Sequence, residues 1–348
     1  MKVLILGPSI GNKASGGVAV FDEGLFNGFK EIGDEVFLVS ANKSINLDNI
    51  LISNREISPK RIFGAFGKIS TIIKRIKPDV VISSLQYSLG IKRYKIHHKK
   101  CTYIQVLHGF PCEINGKFKA WLINQSAKYT RKHFDYVVTV SFLSYAINKK
   151  IIQIPCDKII YNGCNIVRSN NLKERIYDFI YIGRLFGDKE VEMIADSFLL
   201  LKKSNPSFRL AIAGYGELEN LFTSGKYVES GIEFLGKINQ TEVQSLLESS
   251  KFFISMNPLE PFGIVFNEAL LCGCNIITQS SSGCAPLFIK KDYFHIADCT
   301  NSCELSKKLV EISNSFHIIS DSEMEEISFF ASFKRVALEY KKLATKDE

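Results

Sequence analysis

The stretch Glu260-Pro-Phe-Gly-Ile-Val-Phe-Asn-Glu268 sets two carboxylates, with seven residues between them, around a Phe-Gly turn. The apolar run at 252–255 ahead of it reads as a strand, and the apolar residues behind it read as a short helix ending near Gly273. Glu260 then belongs to the strand-to-helix loop, and Glu268 rides a turn or two into the helix. The first N–H groups of a helix have no partner within it, so those from Gly263 onward can donate to an anion or a hydroxyl. Two fixed acceptors beside a row of donors suit a polyhydroxylated, phosphorylated ligand. A nucleotide-sugar answers that description.

Outward from this stretch, apolar strand patterns and amphipathic helix patterns alternate along the chain, which predicts parallel sheets with crossover helices. Strands are predicted at 3–6, 35–40, 80–83, 102–107 and 136–140, and again at 179–182, 210–213, 233–235, 252–255 and 275–278. A helix over 18–32 follows Gly16-Gly17 and is closed by Gly33. The polar stretch around 165–175 reads as a boundary, giving domains 1–168 and 169–325 and a last helical segment, 326–348. Within that segment Phe333, Leu338 and Tyr340 are the predicted apolar anchors.

The 348 residues are enough for two α/β domains, and 46% apolar composition with no low-complexity tract predicts an ordered chain. No apolar run approaches the roughly 20 residues of a membrane-spanning helix, and the apolar core before Gly7-Pro8 is short for a signal peptide. The chain therefore reads as cytoplasmic. Nine cysteines include no Cys-x-x-Cys, and the pairs Cys272/Cys274 and Cys299/Cys303 lack a partner pair, so no metal site is predicted. Charge is uneven: residues 1–165 hold 24 basic and 11 acidic side chains (+13), and 166–348 hold 20 and 25 (−5). A basic first half points to an anionic partner.

A reaction that releases a nucleoside diphosphate must stabilise the charge growing on it, through a metal or through fixed cations worth about 2–4 kcal/mol each in a dry site. There is no Asp-x-Asp to hold a metal; Tyr181-Ile-Gly-Arg-Leu-Phe-Gly-Asp-Lys-Glu190 offers Arg184 and Lys189 after a strand instead. Leu210-Ala-Ile-Ala-Gly-Tyr-Gly-Glu217 ends a strand in Gly214-x-Gly216, lacking the third glycine of a dinucleotide fingerprint. In the first half, Gly16-Gly17 follows the first strand and His108-Gly109 follows the run at 103–107.

Together these motifs resemble the retaining glycosyltransferases of family 4, group 1 glycosyl transferases: the Glu-x7-Glu around "EPFG", the "GRL…K" loop, the "GxG" loop, the Gly-Gly loop and the "HG" histidine. Two departures stand out, Glu190 where the family commonly has glycine, and Leu287 in "SSSGCAPL" where a glutamate is common. The resemblance implies an α/β fold of GT-B architecture, two Rossmann-like doubly wound parallel-sheet domains facing across a cleft, with the last helix crossing back to the first domain. It implies a retaining, metal-independent hexosyltransferase without cofactor. Glu260 and His108 would bind the donor sugar, Arg184 and Lys189 the diphosphate, and Glu268 the ribose. Gly16, Gly17, Gly214, Gly216, Phe262, Gly263 and Ile264 would approach the donor through backbone groups. A UDP-sugar is the implied donor. A lipid-linked (polyprenyl-diphosphate) or polysaccharide acceptor in bacterial capsule, O-antigen or lipopolysaccharide synthesis is the implied setting.

The basic segment 60–77 carries apolar positions Ile62, Phe66, Ile69, Ile72, Ile73 and Ile76, and a second basic run covers 92–100. Each reads either as the solvated face of a packed helix or as a peripheral contact with an anionic membrane on its inner face. Nucleic acid is disfavoured because the basic residues lack interleaved stacking aromatics. Another GT-B enzyme such as a sugar-nucleotide epimerase, an NAD-dependent oxidoreductase, and an inert homologue serving as a subunit remain as alternatives.

Overall fold

Short runs of Val, Ile, Leu and Phe recur through the chain, and in the structure they are strands buried on both faces, as parallel sheets require. The structure is a computed structural model that describes residues 1–11, 16–53, 59–95, 101–110, 117–168, 174–228 and 230–345. The chain forms two compact units, one of Met1–Asn165 with Phe330–Glu348 and one of Ile166–Phe329.

The first unit contains β1 (Lys2–Leu6), α1 (Gly17–Glu31), β2 (Glu35–Ser40), β3 (Ile50–Leu51), α2 (Phe66–Ile76), β4 (Val80–Ser84), α3 (Ile91–Lys95), β5 (Thr102–Leu107), α4 (Lys117–Arg131), β6 (Tyr136–Thr139), α5 (Phe142–Ala146) and β7 (Lys158–Ile159). Its seven-stranded sheet has the order β3-β2-β1-β4-β5-β6-β7, every pair parallel. Strand order reverses between β1 and β4, and ligands of such sheets bind beyond the carboxyl ends at that reversal. Ile69, Ile73 and Ile76 of α2, with Ile62 just ahead of it, sit in the core with Leu4, Val81 and Tyr103. Lys68, Lys74, Arg75 and Lys77 of the same segment are exposed, so its isoleucines serve packing and its cations face solvent. Residues 96–100 of the second basic run lie outside the described residues.

The second unit contains β8 (Tyr177–Ile182), α6 (Val191–Ser204), β9 (Leu210–Ala213), α7 (Glu219–Thr223), β10 (Ile232–Gly236), α8 (Gln240–Glu248), β11 (Ser250–Ser255), α9 (Ile264–Leu271), β12 (Asn275–Thr278), α10 (Ala285–Phe288), β13 (Phe294–Ile296), α11 (Ser302–Ser313) and α12 (Asp321–Ala331), whose last residues belong to the first unit. Its six strands run β10-β9-β8-β11-β12-β13, again all parallel, with the reversal between β8 and β11. Phe179, Phe252, Ile254, Leu210 and Phe198 lie in its core. Both predicted doubly wound sheets are present, and the architecture is α/β throughout.

The last helix, α13 (Phe333–Thr345), packs in the first unit against α1. Phe333 fills the space over Gly24 and Gly28, where an added Cβ would come within 2.0 Å of its ring and 2.2 Å of its carbonyl oxygen. Lys341 binds the buried Asp34 at 2.9 Å, beside the N-terminal ammonium at 2.8 Å. Leu338 is not an anchor: it is 44% exposed, whereas Val336, Ala337 and Tyr340 are buried. At 3.6 residues per turn, Leu338 points away from the face that carries Phe333, Ala337 and Tyr340.

Candidate active site

In the second unit the loops after β8 and β11, adjacent strands at the reversal, bring together residues far apart in sequence. Lys189 Nζ donates to Glu260 Oε2 at 3.1 Å, and Asn257 Nδ2 donates to the same oxygen at 2.9 Å. Among the described residues Glu260 Oε1 meets no donor. The Glu260 carbonyl accepts from Gly283 N–H at 2.9 Å, so part of the divergent segment 280–287 fixes the loop. Gly263, the N-cap of α9, has φ +77, and a Cβ there would stand 2.4 Å from the Phe266 ring and 3.2 Å from Glu260 Cγ. Glycine is thus what lets the chain turn into α9 with Glu260 alongside. Phe262 is buried in the core, leaving it only backbone groups to offer a ligand, while Ile264 opens the helix.

Arg184 stands apart from this pair. Its side chain is 57% exposed, lies 3.9 Å from Asp188 and stacks over Phe186 at 5.2 Å. Lys189 is 3.8 Å from the same Asp188, so one carboxylate separates the two cations. Glu190, where the family commonly has glycine, takes φ +55 and ψ +31 as the N-cap of α6. A left-handed turn is therefore required at this position, and a glutamate adopts it under strain.

Gly214 and Gly216 have an internal reason to be glycine. A Cβ on Gly214 would fall 1.8 Å from the Gly183 carbonyl oxygen, and one on Gly216 would fall 2.3 Å from that of Leu185. The two loops lie backbone to backbone, with Leu185 N–H donating to the Tyr215 carbonyl at 2.9 Å.

Glu268 is buried in α9 and accepts from Gln240 Nε2 at 2.8 Å. Burial lifts its carboxyl to about 7, against the opposing pull of the Gln240 bond. Gln240 is the first residue of α8, held in place by the Asn239–Glu242 capping box.

In the first unit the reversal gathers α1, β4 and β5. His108 Nε2 lies 3.0 Å from Ser84 Oγ, and Ser84 donates to Asp22 Oδ1 at 2.9 Å. A hydroxyl has one proton; with it given to Asp22, Nε2 is the donor to Ser84 and Nδ1 is left as an acceptor. The Phe21 ring meets the imidazole edge-on at 4.7 Å, and burial holds His108 near 3, so it is neutral at physiological pH. Asp22 is fully buried and held well above the usual carboxylate range by burial, despite its bond from Ser84, with Glu23 adding to the rise. Glu23 ties the loops after β1 and β2, accepting from Ile10 N–H at 2.6 Å and from Asn46 at 3.0 Å. Gly16 and Gly17 begin α1 in open space, with nothing described within 4 Å of an added Cβ. Packing among the described residues gives no reason for glycine there.

Residues 165–319 match the glycosyl transferases group 1 family. That stretch is similar to a group 1 glycosyltransferase domain. The chain is 28% identical over 311 residues to an uncharacterized glycosyltransferase of Methanocaldococcus jannaschii, covering 80% of this chain and 78% of that one. A second uncharacterized glycosyltransferase of that organism is 24% identical, covering 90% and 89%. Among solved structures, sucrose-phosphate synthase from Thermosynechococcus elongatus superposes with a TM-score of 0.79 at 14% identity, over 99% of this chain and 98% of that one. Anabaena HepE, solved with UDP and glucose, gives 0.77 at 14%, over 99% and 100%. The fold is that of the GT-B glycosyltransferases.

The matched stretch holds Glu260, Lys189, Arg184 and Glu268, and of these Glu260 and Lys189 are in contact. Asn257, Asp188 and Gln240 complete the cluster and escaped the sequence reading, as did Asp22 and Ser84 beside His108. Each is an ordinary polar residue that no motif marks, and for Gln240, Ser84 and Asp22 the partner is distant in sequence and met only in the fold.

Proposed function

We propose that the protein is a retaining, metal-independent glycosyltransferase that moves a hexose from a nucleoside diphosphate, UDP above others, to a lipid-linked or polysaccharide acceptor. The observation that carries this reading is the Lys189–Glu260–Asn257 contact at the β8/β11 reversal of a group 1 domain. A cation and a carboxylate held together are matched to a ligand with a phosphate at one end and hydroxyls at the other. On binding, Lys189 transfers its attention to the diphosphate, joined by Arg184, and Glu260 accepts from sugar hydroxyls while N–H groups at the start of α9 donate. Glu268 accepts from the ribose. His108 accepts a sugar hydroxyl through Nδ1.

In the reaction the bond from the anomeric carbon to the diphosphate oxygen breaks. The acceptor oxygen bonds to that carbon on the same face, and its proton passes to the departing diphosphate oxygen. Fixed cations that meet the growing charge each lower the barrier by about 2–4 kcal/mol. The basic excess of residues 1–165 and the exposed cations of α2 support work on envelope polysaccharide at an anionic inner-membrane surface.

The test is release of nucleoside diphosphate from UDP-, GDP-, ADP- and dTDP-sugars with EDTA present. Turnover of one donor, lost in Lys189→Ala and Glu260→Gln, is the expected result. Turnover that EDTA abolishes would sink the metal-independent reading. No turnover and no nucleotide binding would leave an inert homologue.

A further inference from the structure

Below His108 the first unit contains a cavity of about 500 Å³, within the range of small-molecule sites. Leu85, Leu89, Val106, Phe110, Ala127 and Ile154 make its wall apolar, and the described lining residues include no charged side chain. Gln105 also lines it, from the middle of β5, where a parallel strand ordinarily carries apolar residues. Gln105 is 5% exposed, and among the described residues its Oε1 has no hydrogen-bond partner. Burying an amide without its bonds is costly, and the other polar wall residues do not share the defect. Thr130 donates to the Ala127 carbonyl at 3.0 Å, and Asn148 donates to the Gly109 and Ser144 carbonyls at 3.0 and 2.8 Å. A third observation lies at the lip. Leu85 has φ +50 and is 47% exposed, a left-handed backbone for a bulky residue whose apolar side chain gains little from burial.

We propose that this cavity binds the uncharged, apolar body of the acceptor, with an acceptor hydroxyl donating to Gln105 Oε1. The assignment rests on the transferase reading above and narrows the acceptor to an amphiphile whose hydroxyl-bearing end adjoins an apolar group. A phosphate inside the cavity would find no cation among the described lining residues and a neutral His108 at its edge. A plain sugar would leave the apolar wall wet.

The probe is octyl β-D-glucopyranoside, below its micelle concentration, titrated calorimetrically into the full chain. Methyl β-D-glucopyranoside and octyl phosphate are the comparators, and UDP is titrated separately. Saturable one-to-one binding of the octyl glucoside, at least about 10-fold tighter than either comparator, is expected from the apolar area it buries. Gln105→Leu should weaken it roughly 3- to 10-fold through the lost hydrogen bond. Ala127→Phe, which fills the cavity, should remove it; Leu89→Trp, at another half-buried wall residue, does the same job if the first substitution unfolds the unit. UDP binding should be unchanged in all variants. Comparators that bind as well as the octyl glucoside, or binding that survives both filling variants as adventitious adsorption only, would overturn the proposal while UDP binding keeps the transferase reading standing. Loss of UDP binding in the parent protein, with octyl glucoside still held, would overturn the acceptor role and the transferase reading together.

Discussion

Glu268 shows how one buried carboxyl couples protonation to both stability and binding. Its folded value near 7 lies above the ordinary 4.5, so the folded state favours the protonated form. The penalty for ionising it is absent below about pH 4.5, grows as pH rises, and is complete above about 7, on the order of 3 kcal/mol in all. A ribose hydroxyl donating to the carboxylate opposes that penalty, since charged acceptors bond more strongly. UDP affinity measured by calorimetry should therefore rise from about pH 6 to about pH 8, and Glu268→Gln should flatten the profile. A profile unchanged by the substitution would remove Glu268 from the nucleotide site. Glu190 offers a second residue-scale test. Its left-handed backbone costs about 1 kcal/mol, which glycine would relieve. Glu190→Gly should raise the thermal midpoint of the second unit by about 2 °C; a lower midpoint would mean that the glutamate side chain compensates its own strain. The candidate site was half legible at this scale. Glu260 and Lys189 stand out in the sequence by motif, but their contact does not, because 71 positions separate them and only the neighbouring placement of β8 and β11 joins them. Gln240 and Ser84 carry no local signal at all.

At the scale of elements, strands of four or more apolar residues are legible because parallel sheets bury both faces, and β2, β5, β9 and β12 have the predicted bounds. The short strands β3, β7 and β13 are not, since two or three residues establish no period and their pairing comes from a neighbouring edge. The Leu338 error has the same origin: an apolar residue in a helix marks the buried face only when its neighbours at three and four positions agree. The α1–α13 contact supplies a sharp test. Gly28→Ala sets a methyl against the Phe333 carbonyl, and overpacking of this kind costs typically about 1–3 kcal/mol. Urea unfolding of the variant should show that loss with an unchanged slope. An unaffected midpoint would mean that the two helices separate without cost.

For the whole molecule, charge is the property that acts at a distance. The +13 of residues 1–165, with Lys68, Lys74, Arg75 and Lys77 exposed on one segment, makes that half a candidate for an anionic surface. At about 1 kcal/mol per basic residue near such a surface, four contacts give reversible attachment. Sedimentation with phosphatidylserine vesicles should be clear at low salt and fall steeply as ionic strength shortens the Debye length to about 8 Å. Reversing the four charges to glutamate should abolish it. Vesicle binding that ignores both salt and the substitutions would point to apolar insertion elsewhere.

The first unit is also assembled from two ends of the chain, with Cys164 N–H bonded to the Ala331 carbonyl at 2.9 Å and α13 laid over α1. On a ribosome, therefore, the part made first cannot close first. Residues 1–165 must wait with Phe21 uncovered while the continuous second unit is synthesised and folds. The order of completion reverses the order of translation, and the interval before α13 emerges is when a nascent chain of this protein most needs a chaperone.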